Sequence, residues 1–158
     1  MTNCLHRLRF ASFCCGYTGR VTRKERRLQY DEFIDRIRQR AGLGTPEEAQ
    51  RVSQAALTVL GEYLAGREAL DLAAQLPQGI AEILRQQPPD RSMVFSFADF
   101  VQRVCEEEGI EKFEYALAHA RVVMGVLEEA VSGGEMEDVR RQFPSEFDPL
   151  FESGSGAS

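Results

Sequence analysis

The sequence contains no tryptophan, two histidines and four cysteines among its 158 residues, and no long apolar run. No stretch approaches the ~18 apolar residues that a helix needs to cross a bilayer, which excludes a membrane-spanning protein. Three of the four cysteines lie within the first fifteen residues, and cysteine is far below the ~8–10% of a disulfide-stabilised scaffold. A hydrophobic content of 43% therefore predicts a soluble globular protein, with the reducing cytoplasm as its compartment.

Basic side chains are scarce beyond the first 29 residues. Residues 1–29 hold seven of the 19 lysines and arginines but only one of the 25 acids, so their formal charge is +6 and that of the remainder is −12. An acidic body repels phosphate backbones, which argues against nucleic acid as a partner. Cys4, Cys14 and Cys15 leave acylation or metal binding open, and the arginine-rich, acid-poor stretch up to Lys24 leaves a transit peptide open. We favour a poorly ordered extension. One interpretation is that the translation start is mis-assigned and that the true start lies near Val21.

An internal repeat is the most informative feature of the chain. Residues 30–84 align with residues 97–151 at an offset of 67, without a gap and with thirteen identities in fifty-five positions. Glycines and prolines stay in register, which indicates a duplicated unit. The identical pairs that carry polar or turn chemistry are Arg36 and Arg103, Gly42 and Gly109, Glu47 and Glu114, Glu62 and Glu129, Gly66 and Gly133, Glu68 and Glu135, Asp71 and Asp138, Gln75 and Gln142, and Pro77 and Pro144.

The apolar spacing within each unit is helical. Phe33, Ile34 and Ile37 recur on one face, and Gly42 follows at the position of a left-handed cap. The segment Thr45–Glu48 then supplies an N-cap hydroxyl, a proline and a capping glutamate for a long helix. The sequence predicts an all-α protein of two tandem four-helix units, about eight helices, related by a pseudo-twofold axis. Its predicted parts are a basic, disordered extension (1–29), the first unit (30–85), a proline-containing linker (86–96), the second unit (97–151) and a flexible tail (152–158).

Two pairs of repeated strings resemble a known family. One pair runs from Gly66 to Pro77 and from Gly133 to Pro144, each after a long helix, and the other opens the units at Tyr30 and Phe97. Over roughly residues 28–151 the chain is similar to a prokaryotic family catalogued as domain of unknown function 2267. The resemblance implies an all-helical cytoplasmic protein, and it implies no established activity, substrate or cofactor.

The repeated carboxylates have two interpretations. Glu68 and Glu135 follow a glycine and fall in the first turn of a helix, where a carboxylate accepts from free backbone amides and is favoured by the helix dipole. We expect this capping role, with no metal and no cofactor. The alternative is a divalent cation held across the two units by these acids together with Asp71, Asp138, Glu62 and Glu129.

The repeated arginines also leave two possibilities open. Arg36 and Arg103 each follow an acid four residues earlier, Glu32 and Asp99, in the order that suits an ion pair along a helix. Their repetition suggests a further bond, to helix-end carbonyls or to Glu62 and Glu129 at the seam between helices. We expect structural bonds, with an anionic-ligand site as the alternative.

Three features distinguish the second unit from the first. His119 replaces Val52 and is expected at the edge of the core, and Cys105 replaces Arg38 and is expected as a surface or boundary thiol. The segment 106–108 consists of three glutamates, which predicts either a solvated acidic face or a docking surface for a basic partner.

Two classes of function follow, and no residue is assigned a catalytic role. The first is a non-enzymatic protein-interaction or self-association module that uses grooves between amphipathic helices and the acidic second unit. The second is a small-ligand or metal-binding regulator or enzyme with its site at the junction of the units.

Overall fold

A computed structural model describes residues 28–64, 66–86 and 96–152 of the chain. Within these ranges the protein is helical and has no strand, so the prediction of an all-α fold with about eight helices is confirmed. The basic extension with Cys4, Cys14 and Cys15, most of the linker and the end of the tail lie outside the described residues. The helices are α1 (Tyr30–Ala41), α2 (Pro46–Leu64), α3 (Arg67–Gln75), α4 (Gln78–Arg85), α5 (Phe97–Glu108), α6 (Phe113–Ala130), α7 (Gly133–Arg141) and, after a 3₁₀ turn (Ser145–Phe147), α8 (Asp148–Phe151).

Four helices, two from each unit, form a central bundle. Helix α1 packs on α2 and α6, while α5 packs on α6 and α2, and the two long helices α2 and α6 also meet. Helix α4 packs on α2 and α8 packs on α6, while α3 contacts α7. These contacts have their equivalents in the other unit, which is the pseudo-twofold arrangement that the repeat predicts, whereas the packing of α3 on α4 occurs in the first unit only. The buried apolar side chains form one core that runs through both units, because ~55 residues alone bury too little surface.

The core is aromatic at the end formed by the second unit. Tyr63 of α2 stacks on Phe143 with ring centroids 4.3 Å apart, and Phe147 meets Phe100 edge-on at 5.7 Å. Large aromatic rings bury much apolar surface and favour such offset and edge-on contacts. One side chain of the first unit thus enters a cluster that belongs mainly to the second.

The ends of the helices differ in how they are capped. The Glu48 amide donates to the Thr45 hydroxyl at 3.2 Å, and the Glu48 carboxylate accepts from the Thr45 amide at 3.3 Å, as the sequence predicts. Ser96 and Asp99 form the same capping box before α5. Helix α6 begins after Lys112, whose side chain makes no capping hydrogen bond.

The buried face of α5 is wider than the sequence suggests. Cys105, expected at the surface or boundary, is buried, and so is Glu108 of the expected acidic face. Both continue the stripe of Val101 and Val104 at helical spacing. The prediction for Cys105 was wrong because it rested on the counterpart Arg38, a long charged side chain that stays partly exposed, whereas the short thiol at the same position is buried.

Candidate functional site

One seam between the units joins α1 to α6 through Glu129. Arg36 and Arg40, one turn apart on α1, donate to the two carboxylate oxygens of Glu129 on α6. Arg36 also donates to Glu32 at 2.9 Å on its own helix. Partial burial acts to raise the pKa of Glu129, but the bonds from Arg40 and Arg36 outweigh it and the pKa lies below its usual value.

The equivalent seam joins α5 to α2. Arg103 donates to the carboxylate of Glu62, so the two repeated Arg–Glu pairs cross from one unit to the other. Asp99, four residues before Arg103, instead forms the capping box of α5. The position equivalent to Arg40 is Glu107, so this seam contains one arginine where the other contains two.

The repeated carboxylates meet where α3 packs on α7. Gln75 of α3 bridges the units: its side-chain oxygen accepts from the Ser132 amide at 2.8 Å, and its side-chain nitrogen donates to Glu135 at 3.3 Å. The hydroxyl of Ser132 accepts from the Glu135 amide, so Ser132 rather than Glu135 caps α7.

Negative charges surround Glu135. Its pKa is raised by burial and then by the charges of Asp71, Asp138 and Glu68. Three repeated acids thus act on a fourth, Glu135, at this contact. In the described part of the chain, no group of three or more histidine, cysteine, aspartate or glutamate side chains is arranged to hold a metal ion.

The remaining repeated residues lie at helix ends. Gly66 precedes α3 with φ at +73°, and Gly133 is the first residue of α7. Gln142 follows the last residue of α7 as its C-cap. Pro77 precedes α4, and Pro144 precedes the 3₁₀ turn.

The turn between α5 and α6 exposes acids and aromatics together. We call residues 106–115 the acidic turn; five glutamates and one lysine give it a formal charge of −4. Phe113 and Tyr115 are 37% and 55% exposed, and Lys112 Nζ lies 5.1 Å from the centre of the Tyr115 ring. The equivalent positions of the first unit are Pro46 and Glu48, which belong to the start of α2.

A buried polar pair joins Glu108 of the acidic turn to His119 of α6. Oε1 of Glu108 is 2.8 Å from Nδ1 of His119, and the two side chains are 3% and 17% exposed. Oε2 of Glu108 is buried and has no hydrogen-bond partner among the residues that the structure describes. Burial, followed by the charges of Glu108 and Glu106, raises the pKa of the Cys105 thiol.

Sequence reasoning did not identify this pair, although it placed His119 at the edge of the core. The signal was present in the repeat, because Glu108 and His119 replace Ala41 and Val52. Two apolar positions thus become polar on two adjacent helices.

Comparison with known proteins identifies a family and no described activity. None of the described helices is long and apolar enough to cross a membrane. A comparison with curated proteins found no match. The sequence profile of the family described as "Uncharacterized conserved protein (DUF2267)" matches residues 30–150, which confirms the resemblance seen in the repeated strings. With most of its length covered by this match, the chain belongs to that family.

Proposed function

We propose that the protein is a non-enzymatic interaction module that binds a basic segment of a protein partner at the acidic turn. The observation that carries the proposal is the exposure of Phe113 and Tyr115 among glutamates. Exposed aromatic rings within a polar rim are typical of binding surfaces, and the negative charge favours a basic partner. We retain the cytoplasm as the proposed compartment.

The charged seams support this proposal over a ligand site at the junction of the units. Arg36, Arg103, Glu62 and Glu129 each form an ion pair with another of the four. A small ligand at the junction would have to compete with these pairs. The acidic turn, by contrast, presents several exposed glutamates to solvent.

The chain itself offers the variant that tests the proposal. Replacing Lys112→Thr, Phe113→Pro and Tyr115→Glu transfers the capping residues of α2 to α6. The backbone of Lys112, with φ −93° and ψ 110°, suits a residue before proline, and the graft supplies a cap that α6 lacks. The thermal midpoint should therefore not fall, while both exposed aromatic rings are removed.

The probe is a short blocked peptide of arginine and leucine in an amphipathic helical repeat, and binding is followed by fluorescence anisotropy. The graft changes the formal charge of the acidic turn from −4 to −6, which favours a basic peptide, so weaker binding reports the loss of the two rings. We expect the graft to weaken binding by about tenfold or more, and added salt to weaken wild-type binding. Leu70→Ser, which removes another exposed apolar side chain, is the control and should leave binding unchanged. Equal affinity of wild type and graft for the peptide would contradict the proposal.

A further inference from the structure

We propose that Glu108, the buried glutamate of the acidic turn that contacts His119, binds a guanidinium group of the partner. This inference rests on the proposed function and names the chemistry of its partner, a basic segment that presents an arginine. A guanidinium N–H donates to Oε2 of Glu108, while the imidazole Nδ1–H donates to Oε1.

The first observation is that only one of the two carboxylate oxygens of Glu108 has a hydrogen-bond partner among the described residues. Its side chain is 3% exposed, Oε1 contacts His119, and Oε2 has no hydrogen-bond partner among the described residues. Buried carboxyl oxygens in folded proteins are nearly always hydrogen-bonded, because an unpaired one retains the full penalty of leaving water. The site therefore lacks a donor.

The second observation is the electrostatics of this end of α5. Three glutamates occupy the last turn, where the helix dipole is already negative and no basic side chain is present. The equivalent turn of α1 contains Arg38 and Arg40. Burial, followed by the charge of Glu108, raises the pKa of the Cys105 thiol. The glutamates and the helix dipole together favour a cation at this end of α5.

The third observation comes from the other unit. Its equivalent positions, Ala41 and Val52, are apolar, so the fold does not require Glu108 and His119. A buried polar pair often contributes less stability than apolar residues of similar volume. A role in binding accounts for the presence of the pair in one unit and its absence from the other.

Arginine fits the site better than lysine. Its guanidinium is planar, carries five donors and is more weakly hydrated than an ammonium group, so it is more readily buried against a carboxylate. It also stacks on aromatic rings, and Phe113 and Tyr115 are exposed at the start of α6. Oε2 of Glu108 is itself buried, so a guanidinium reaches it only when neighbouring side chains move aside; the more exposed member of the pair is His119, at 17%.

The deciding experiment compares Glu108→Gln with Glu107→Gln. Both variants remove one negative charge from the last turn of α5, but Glu107 is exposed. With the arginine–leucine peptide we expect Glu108→Gln to weaken binding by about tenfold, the effect of a lost charge-assisted bond, and Glu107→Gln by less than about threefold. The same peptide with citrulline in place of arginine should bind wild type as weakly as the arginine peptide binds Glu108→Gln.

A second readout separates guanidinium binding from a structural role. The chain has two histidines, so the imidazole nitrogen resonances of His119 are readily assigned by NMR. They should move when the peptide binds wild type and not when it binds Glu108→Gln. The double variant Glu108→Ala with His119→Val, which copies the first unit, should retain its fold and lose the same affinity as Glu108→Gln.

Each failure has a different meaning. Equal effects of Glu107→Gln and Glu108→Gln, with a stationary His119 resonance, would overturn the binding role of Glu108 and leave the acidic turn as a binding surface. An arginine peptide that does not bind wild type would overturn both the binding role of Glu108 and the proposed function.

Discussion

The turn between α1 and α2 and the acidic turn occupy equivalent positions in the two units, but they are stabilised differently. In the first, Arg38 pairs with Asp35 at 2.8 Å, and Thr45 and Glu48 cap α2. In the acidic turn, glutamates occupy the end of α5, and α6 starts without a side-chain cap. One copy of the duplicated turn thus has side-chain caps and an ion pair, whereas the other exposes acidic and aromatic side chains.

The same contrast extends into the core and to the seams. Ala41 and Val52 are replaced by Glu108 and His119, and the position of Arg40 is taken by Glu107. The first three helices correspond in the two units, and the fourth is replaced in the second unit by the 3₁₀ turn and α8. At the two turns the differences therefore lie in side-chain chemistry, and variants that exchange this chemistry test what each turn contributes.

The largest effect is expected from His119→Val. This change leaves the carboxyl group of Glu108 buried without its hydrogen-bond partner. Removing one partner of a buried pair typically costs about 3–5 kcal/mol, so the free energy of unfolding should fall by about that amount in urea denaturation.

The control is to add Glu108→Ala, which completes the pair found in the first unit. Most of the loss should be recovered, to within about 1 kcal/mol of wild type, because no buried polar group is left unpaired. If the double variant is as unstable as His119→Val alone, the two positions are not interchangeable between the units.

A smaller effect is expected at the seams. Glu129→Ala removes the partner of Arg36 and Arg40, whereas Glu62→Ala removes a partner of Arg103. These pairs are partly exposed, so we expect losses of about 1 kcal/mol for Glu129→Ala and about half of that for Glu62→Ala. Equal losses would show that the second arginine contributes nothing.

The pH dependence of Glu129→Ala provides a check on its cause. Because the pKa of Glu129 is lowered in the folded state, its contribution is complete above the unfolded value of ~4.3 and is lost as the pH falls through the folded value. Wild type and variant should therefore converge in acid. A difference that persists there would indicate lost packing instead of a lost ion pair.

The sequence predicted the architecture because its signals are local and repeated. Helical spacing, the Thr45–Glu48 capping segment and glycine-terminated helices in register each specify a helix or its end. Burial of Cys105 and Glu108 was not predictable in this way, because their counterparts Arg38 and Ala41 are only partly buried in the first unit. The bond from Arg36 to Glu129 likewise depends on how the two units pack against each other, which the offset alone does not specify.

The smallest expected effect concerns the contact between α3 and α7, where both units contribute acids. Burial and the charges of Asp71, Asp138 and Glu68 raise the pKa of Glu135 in the folded state, so the ionised form opposes folding. Its stabilising contribution is present below the unfolded pKa and is lost as the pH rises through the folded one. Glu135→Gln and wild type should therefore have the same free energy of unfolding near pH 3. At neutral pH the variant should be more stable than wild type by about 0.5 kcal/mol.

The matched control for this change is Glu47→Gln, which also removes a carboxylate from the first turn of a helix but at an exposed position. There the helix dipole favours the ionised form, so the variant should lose about 0.3 kcal/mol at neutral pH. Opposite signs for Glu135→Gln and Glu47→Gln in urea denaturation would show that repulsion across the two units outweighs the helix dipole at Glu135. Losses of the same sign would show that the repeated acids act as ordinary first-turn carboxylates, each serving its own helix.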